Sequence, residues 1–186
     1  MMDLQTETLW CHILGQAMAG PLKDTRLQII PGELTTWENW KQQHPATSVL
    51  NLSRTHEDFT KDIYENPDDF LYGWRLGAKA FASTFTVMRA NPVQNLDIEG
   101  DPLLLTFDTS GDSPVLFSRK LGDTVHRFEH HADSMRDAET GSTWDLGKGT
   151  CVGGQLKGEA LEHVVGIVSF TRSWSDFHPD SEYIQP

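Results

Sequence analysis

Cysteine is scarce in this chain: Cys11 and Cys151 are its entire complement. Two thiols cannot build a disulfide framework, and no C-x-x-C pair is present to hold a metal or run dithiol chemistry. Long apolar runs are missing as well. Nothing approaches the ~18 consecutive apolar residues of a membrane-spanning helix, so membrane insertion is excluded. Positive charge is in short supply, 15 Lys+Arg against 27 Asp+Glu, for a net charge of −12. A field of that sign repels a phosphate backbone, so no nucleic-acid partner is expected. The start, Met1-Met2-Asp3-Leu4-Gln5-Thr6-Glu7, has neither the basic end nor the apolar stretch of a signal peptide. As written the chain is expected in the cytoplasm, or in the periplasm or outside if a leader precedes it. What is present is a globular composition, 38% hydrophobic and 23% charged over 186 residues. A chain of that length can bury about 70% of its unfolded surface without a metal or a disulfide.

The informative feature is internal. Sliding the sequence on itself by 134 residues aligns 3–50 with 137–184 without a gap, and 12 of those 48 positions are identical. They include Asp3/Asp137, Thr6/Thr140, Trp10/Trp144, Gly20/Gly154, Trp40/Trp174, His44/His178 and Pro45/Pro179. Ordinary residue frequencies would give about three by chance. The pattern reads as a duplicated unit of antiparallel strands followed by a short helix, an α+β, β-rich fold.

Within the first copy, Thr8 to Ile13 and Gln16 to Leu22 read as a hairpin around Leu14-Gly15. Arg26 to Ile30 reads as a third strand closed by the Pro31-Gly32 turn. A capping box at Thr35-Thr36-Trp37-Glu38, with Thr35 as the cap, opens a helix that ends near His44, before Pro45. Ser48 to Leu52 returns to extended structure. The second copy reads alike, with a hairpin around Gly147-Lys148-Gly149, a strand at Ala160 to Val165 and a helix at Ser169 to Phe177. Residues 56–69 read as an acidic surface connector. Leu103, Leu105 and Phe107 alternate with Leu104, Thr106 and Asp108 as a strand after a Glu99-Gly100-Asp101-Pro102 turn, and Val115 to Ser118 and Asp123 to Glu129 follow as strands. The expected organisation is therefore a partial first unit at 1–55, the connector at 56–69 and a complete second unit at 70–186, packed together as one globular domain. The counterpart of 70–136 would lie upstream of Met1. The expected state is a monomer, with the first hairpin joined to the sheet of the second unit.

Thr6-Glu7-Thr8-Leu9-Trp10, Gly20-Pro21-Leu22-Lys23, Leu34-Thr35-Thr36-Trp37-Glu38-Asn39-Trp40-Lys41 and His44-Pro45 resemble the bacterial and archaeal family called domain of unknown function 3179. So do Glu139-Thr140-Gly141-Ser142-Thr143-Trp144-Asp145-Leu146, Gly154-Gln155-Leu156-Lys157-Gly158 and Phe177-His178-Pro179-Asp180. The family has no established activity. The resemblance implies, in fuller members, an upstream Tyr-Cys-Pro step with a second cysteine and a preceding His-Glu stretch. Here those places hold Thr106-Phe107-Asp108-Thr109 and Asn91-Pro92.

Candidate sites are few. A divalent transition metal could use His126, His130 and His131, from His126-Arg127-Phe128-Glu129-His130-His131, since such an ion takes imidazole and carboxylate ligands. On one strand His126 and His130 would share a face about 13 Å apart, so the strand would have to bend at a turn over His130-His131-Ala132-Asp133. The alternative is a solvated turn. His44 and His178 read either as pseudosymmetric sites beside a tryptophan or, preferably, as the last turn of each helix, where a donor or cation meets exposed carbonyls. Trp10, Trp40, Trp144 and Trp174 read as structural anchors. Gly147, Gly149, Gly153 and Gly154 do not form G-x-G-x-x-G, and neither G-x-S-x-G nor H-E-x-x-H occurs. No catalytic residue and no small-molecule ligand can be named. The chain reads as a non-catalytic binding or structural module. The alternative is a metal- or thiol-dependent enzyme whose active residues lie mostly in an upstream segment.

Overall fold

The computed structural model describes residues 1–11, 15–28, 35–49, 66 and 69–185. It is a strand-rich α+β protein that divides into two compact units, Met1–Gly32 and Glu33–Pro186.

In the first unit, β1 (Leu9–Cys11) pairs antiparallel with β2 (Gln16–Ala19). Isolated bridges join Met2 to Leu9 and Gln16 to Arg26. The third strand expected at Arg26 to Ile30 is thus a single bridge at Arg26, and Ile29 and Ile30 lie outside the described residues, as do Ile13 and Pro31-Gly32. Thr8 and Ala17 are fully buried inside this small hairpin.

The second unit begins with α1 (Trp37–Gln43). Its cap is Thr36, whose hydroxyl accepts from the Asn39 N–H at 3.2 Å, one residue later than the capping box placed it. Thr35 instead lies against Gly111, and the Asn39 amide donates to Ser110 Oγ at 3.3 Å. The expected strand at Ser48 to Leu52 is irregular at Ser48-Val49, and its remainder lies outside the described residues, as does the connector apart from Asn66 and Asp69.

From residue 70 the chain builds three four-stranded sheets. β3 (Phe70–Leu76) and β4 (Lys79–Thr84) form a hairpin, and α2 (Phe85–Ala90) follows directly. β5 (Val93–Ile98), β6 (Asp101–Asp108) and β7 (Ser113–Ser118) make an antiparallel meander. The β5–β6 link is the two-residue turn Glu99-Gly100, with φ of 55° and 91°. That is the left-handed pair a type I′ hairpin demands, and Gly100 takes it without strain. The strand expected over Asp123 to Glu129 is broken in two: β8 (Lys120–Leu121) pairs with β9 (Thr124–Val125), and β10 (Phe128–His131) starts afresh. β11 (Ser134–Asp137), β12 (Thr143–Asp145) and β13 (Cys151–Gly153) complete a sheet in the order β10-β11-β12-β13. In place of the strand over Ala160 to Val165 stand a bridge from Ala160 to Thr150 and a short β14 (His163–Val164), which pairs with β7. Ser169 and Phe170 belong to β15 (Gly166–Phe170), so α3 spans only Thr171–Phe177. β16 (Glu182–Tyr183) then runs parallel to β4 and closes the sheet β15-β3-β4-β16.

The sheet β14-β7-β6-β5 is apolar on both faces, which is why β6 reads Leu103-Leu104-Leu105-Thr106-Phe107 with almost no polar break. Leu103, Leu105 and Phe107 face Tyr72, Trp74, Phe81, Phe85 and Met88. Leu104 faces Phe117, Phe128, Met135, Trp144 and Leu161. A third cluster sets Trp174 of α3 on Leu71 and Ala82. The Trp174 ring lies so close to Gly73 that a Cβ there would be 2.5 Å from it. Trp40 does not share this position: it is only half-buried, and α1 has no buried residue.

The Trp174–Gly73 contact gives a measurable coupling. Trp174→Ala should cost about 3–5 kcal/mol in urea unfolding, as for a large aromatic lost from a core. Gly73→Ala alone should cost about 1–3 kcal/mol by overpacking. With the ring already removed, the Gly73→Ala penalty should shrink toward zero; additive penalties would show that the ring does not press on Gly73.

Candidate functional site

The residues that recur at a spacing of 134 have the same local job in both units. In the second unit, Asp137 Oδ1 accepts from the Thr140 N–H at 2.6 Å, the Thr140 hydroxyl lies 2.8–2.9 Å from both carboxylate oxygens, and the Trp144 indole N–H donates to Oδ2 at 2.8 Å. A chain of hydroxyls runs on from there. Ser142 Oγ stands 2.7 Å from Thr140 Oγ1 and accepts from the Leu156 N–H at 3.2 Å. In the first unit Asp3, Thr6, Trp10, Thr8 and Leu22 repeat this arrangement at 2.6, 2.8–2.9, 2.9, 2.7 and 3.3 Å. The backbone repeats too. Glu7 and Gly141, Gly15 and Gly149, Gly20 and Gly154, and Asp24 and Gly158 all have positive φ.

These knots hold their carboxylates ionised. The Trp10 indole first, then the Thr6 N–H and hydroxyl, lower Asp3 to about 2 from 3.8. Burial pushes Asp137 upward, but the Trp144 indole, the Thr140 N–H and hydroxyl and the neighbouring His126 together bring it below its ordinary value.

The helix ends recur in the same way. The Trp40 and His44 rings lie 4.1 Å apart, and Trp174 and His178 lie 4.2 Å apart. The Trp40 indole donates to Thr47 Oγ1 at 3.0 Å and the Trp174 indole to Ser181 Oγ at 2.8 Å. Each histidine is the C-cap of its helix, with its backbone N–H on the tryptophan carbonyl. Burial, and then Arg75, push the His178 pKa down, so its ring serves α3 by packing rather than by charge.

The histidine cluster is rearranged. His130 and His131 stand in β10, solvent-exposed and paired with Met135 and Ser134; the turn is Ala132-Asp133 alone. His126 is not on that strand. It lies between β9 and β10, 4% exposed, with its N–H on the Arg119 carbonyl at 2.9 Å. The structure brings it instead to two carboxylates: Nδ1 is 3.7 Å from Asp137 Oδ1 and 3.4 Å from Glu139 Oε2. Glu139 is itself held by the Arg127 N–H at 3.0 and 3.2 Å. Among the described residues His126, Asp137 and Glu139 form the one group whose ligand atoms all lie within 4.8 Å of one another. One nitrogen and two carboxylates can share a proton or hold a cation.

Sequence reasoning missed three members of this region. Glu139 was visible only as the position where the second copy has an acid and the first has Gln5. Arg119 is 6% exposed and donates to the carbonyls of Leu103, His126 and Leu96 and to Asp97 Oδ1. Asn95 pairs with the Phe128 backbone, donating at 2.7 Å and accepting at 2.8 Å. Together they fix the segment 126–128 in place.

Residues 1–70 and 65–181 each match the family described as Protein of unknown function (DUF3179). The chain belongs to this family. No curated protein and no solved structure matches it. In this DUF3179 chain the place where the resemblance implies a Cys-Pro step is the interior of β6. Thr106 and Phe107 are fully buried there, and the Thr106 hydroxyl lies 2.8 Å from the Leu146 carbonyl. Asn91 is the C-cap of α2. No helix among the described residues is long and apolar enough to cross a membrane.

The lowered carboxyls set an acid limit. Their contribution to stability is complete above the ordinary carboxyl value of 3.8 and is lost as pH falls through the lower folded values, to about 2 for Asp3. The urea midpoint should therefore fall between pH 4 and 2, and Asp137→Asn should flatten that fall while lowering the midpoint at pH 7. A pH profile unchanged in Asp137→Asn would show that its carboxylate does not hold the fold.

Proposed function

We propose that this DUF3179 chain is a non-catalytic binding or structural module built on a duplicated unit. One observation carries the reading. The recurring residues with chemical potential are engaged in contacts inside the scaffold: Asp3 and Asp137 with Thr and Trp partners, His44 and His178 in capping and ring packing. A duplicated reactive centre would leave a nucleophile or base free in at least one copy; these side chains close turns and helix ends instead. Cys151 adds no exposed nucleophile. Buried Cys151 directs its Sγ to the Gly153 carbonyl at 3.3 Å, and half-buried Cys11 sits on the hairpin strand β1. A reactive thiol needs an electropositive, accessible setting, and Cys151 has neither exposure nor a cationic partner among the described residues. The proposed partners exclude nucleic acid on charge grounds, and the proposed state is a monomer.

Thiol alkylation tests the reading. Iodoacetamide at pH 8 should leave Cys151 unmodified in the folded chain and label it only after denaturation, as read by mass spectrometry. Rapid labelling of folded Cys151 would revive a thiol enzyme. Sedimentation velocity at micromolar concentration should give one species of 21.0 kDa; a concentration-dependent dimer would overturn the monomer.

A further inference from the structure

The second unit carries a feature that the repeated scaffold does not need. The first unit ties its Asp3–Trp10 knot with Gln5 where the second has Glu139, so neither the extra carboxylate nor His126 is required to close the turn. Yet His126 is held there at some cost. Its Nδ1 is buried and makes no hydrogen bond, and a buried nitrogen left without a partner is destabilising. The two oxygens facing it, at 3.4 and 3.7 Å, are beyond ordinary hydrogen-bond length. The shorter of these distances fits another geometry, and the longer falls just outside it. Donors bound about 2.0–2.2 Å from one tetrahedral ion stand about 3.3–3.6 Å from each other.

We infer that His126 Nδ1, Glu139 Oε2 and Asp137 Oδ1 form a binding site for a first-row divalent transition metal of the zinc class. The donor set, one imidazole and two carboxylates, suits such an ion. The supporting shell is already built. The Arg127 N–H orients Glu139, and Thr140 and Trp144 orient Asp137. Three hydrogens for about four lone-pair sites leave Asp137 room for one more partner. Asp137 is fully buried while Glu139 is about one-third exposed, so the ion enters from the Glu139 side and completes its shell with water there. A dication also offsets the two like charges gathered in this space. The site stands whether or not the module reading holds, because an ion here could serve structure or binding alike.

The full chain, stripped with a chelator, should bind one Zn²⁺ by calorimetry. In the same wild-type protein, Zn²⁺ should shift the His126 ring ¹⁵N resonances and leave those of His130 and His131 unmoved. Glu139→Gln should weaken binding at least about tenfold, the effect expected of losing a ligand or its support. Glutamine occupies the matching place at position 5, so that variant should keep the apo melting temperature. A His130→Asn/His131→Asn double variant should bind as the wild type does. The site is refuted if the wild type takes up no Zn²⁺. It is equally refuted if binding survives Glu139→Gln undiminished, or if the ion perturbs His130 and His131 rather than His126.

Discussion

The bond between the Asp137 carboxylate and the Trp144 indole is the constraint on which the second unit depends. Burying a carboxylate is unfavourable unless its charge is compensated by donors in good geometry. The chain meets this by folding residues 137–144 into a turn that brings a backbone N–H, a hydroxyl and an indole onto one side chain. Once Trp144 is tethered, its ring has one place to go: under Phe128, edge to face at 5.6 Å, and against Leu104 and Phe117 of the central sheet. The polar knot thereby sets the register of β11, β12 and β13 and the position of the apolar cluster above them.

The central sheet extends this logic to its other face. Because both faces of β6 are covered, the strand has no solvent side on which to place polar groups. The backbone groups at its edge and in the following loop are satisfied by side chains instead. Arg119 reaches three carbonyls from one guanidinium, and Asn95 imitates a neighbouring strand for Phe128. These two residues, distant in sequence from the knot, hold His126 over Asp137. The candidate site is a by-product of how the loop between β9 and β10 is fastened.

Much of this was legible in the chain and some was not, for definite reasons. The recurrence of Asp, Thr, Trp, Gly and His-Pro at one spacing marked the residues that build both knots, though not their hydrogen bonds, because each knot is a local structure spanning only a few residues. The helices were visible from Trp37, Trp40 and the Pro45 and Pro179 stops, but the cap moved from Thr35 to Thr36, since either hydroxyl suits the role and Thr35 is drawn to Gly111. His126, His130 and His131 looked like one cluster because they lie within six residues of sequence, although strand rise would set His126 and His130 about 13 Å apart. The strand breaks after Val125, and the loop that follows is held by Arg119, which also reaches Leu103 and Leu96, and by Asn95, 33 residues from its partner Phe128. Trp40 and Trp174 occupy matching local settings but differ in burial, because only Trp174 has the gap left by Gly73 to fill.

By itself the sequence determined the repeated turns, the helix stops, the alternation of β6 and the absence of several reactive motifs, all of which rest on interactions between near neighbours. The tertiary structure alone decided which copy buries its tryptophan against a sheet, and which of three histidines meets carboxylates. Those outcomes depend on pairing between distant strands and on single side chains bridging them, and spacing along the chain carries no record of either.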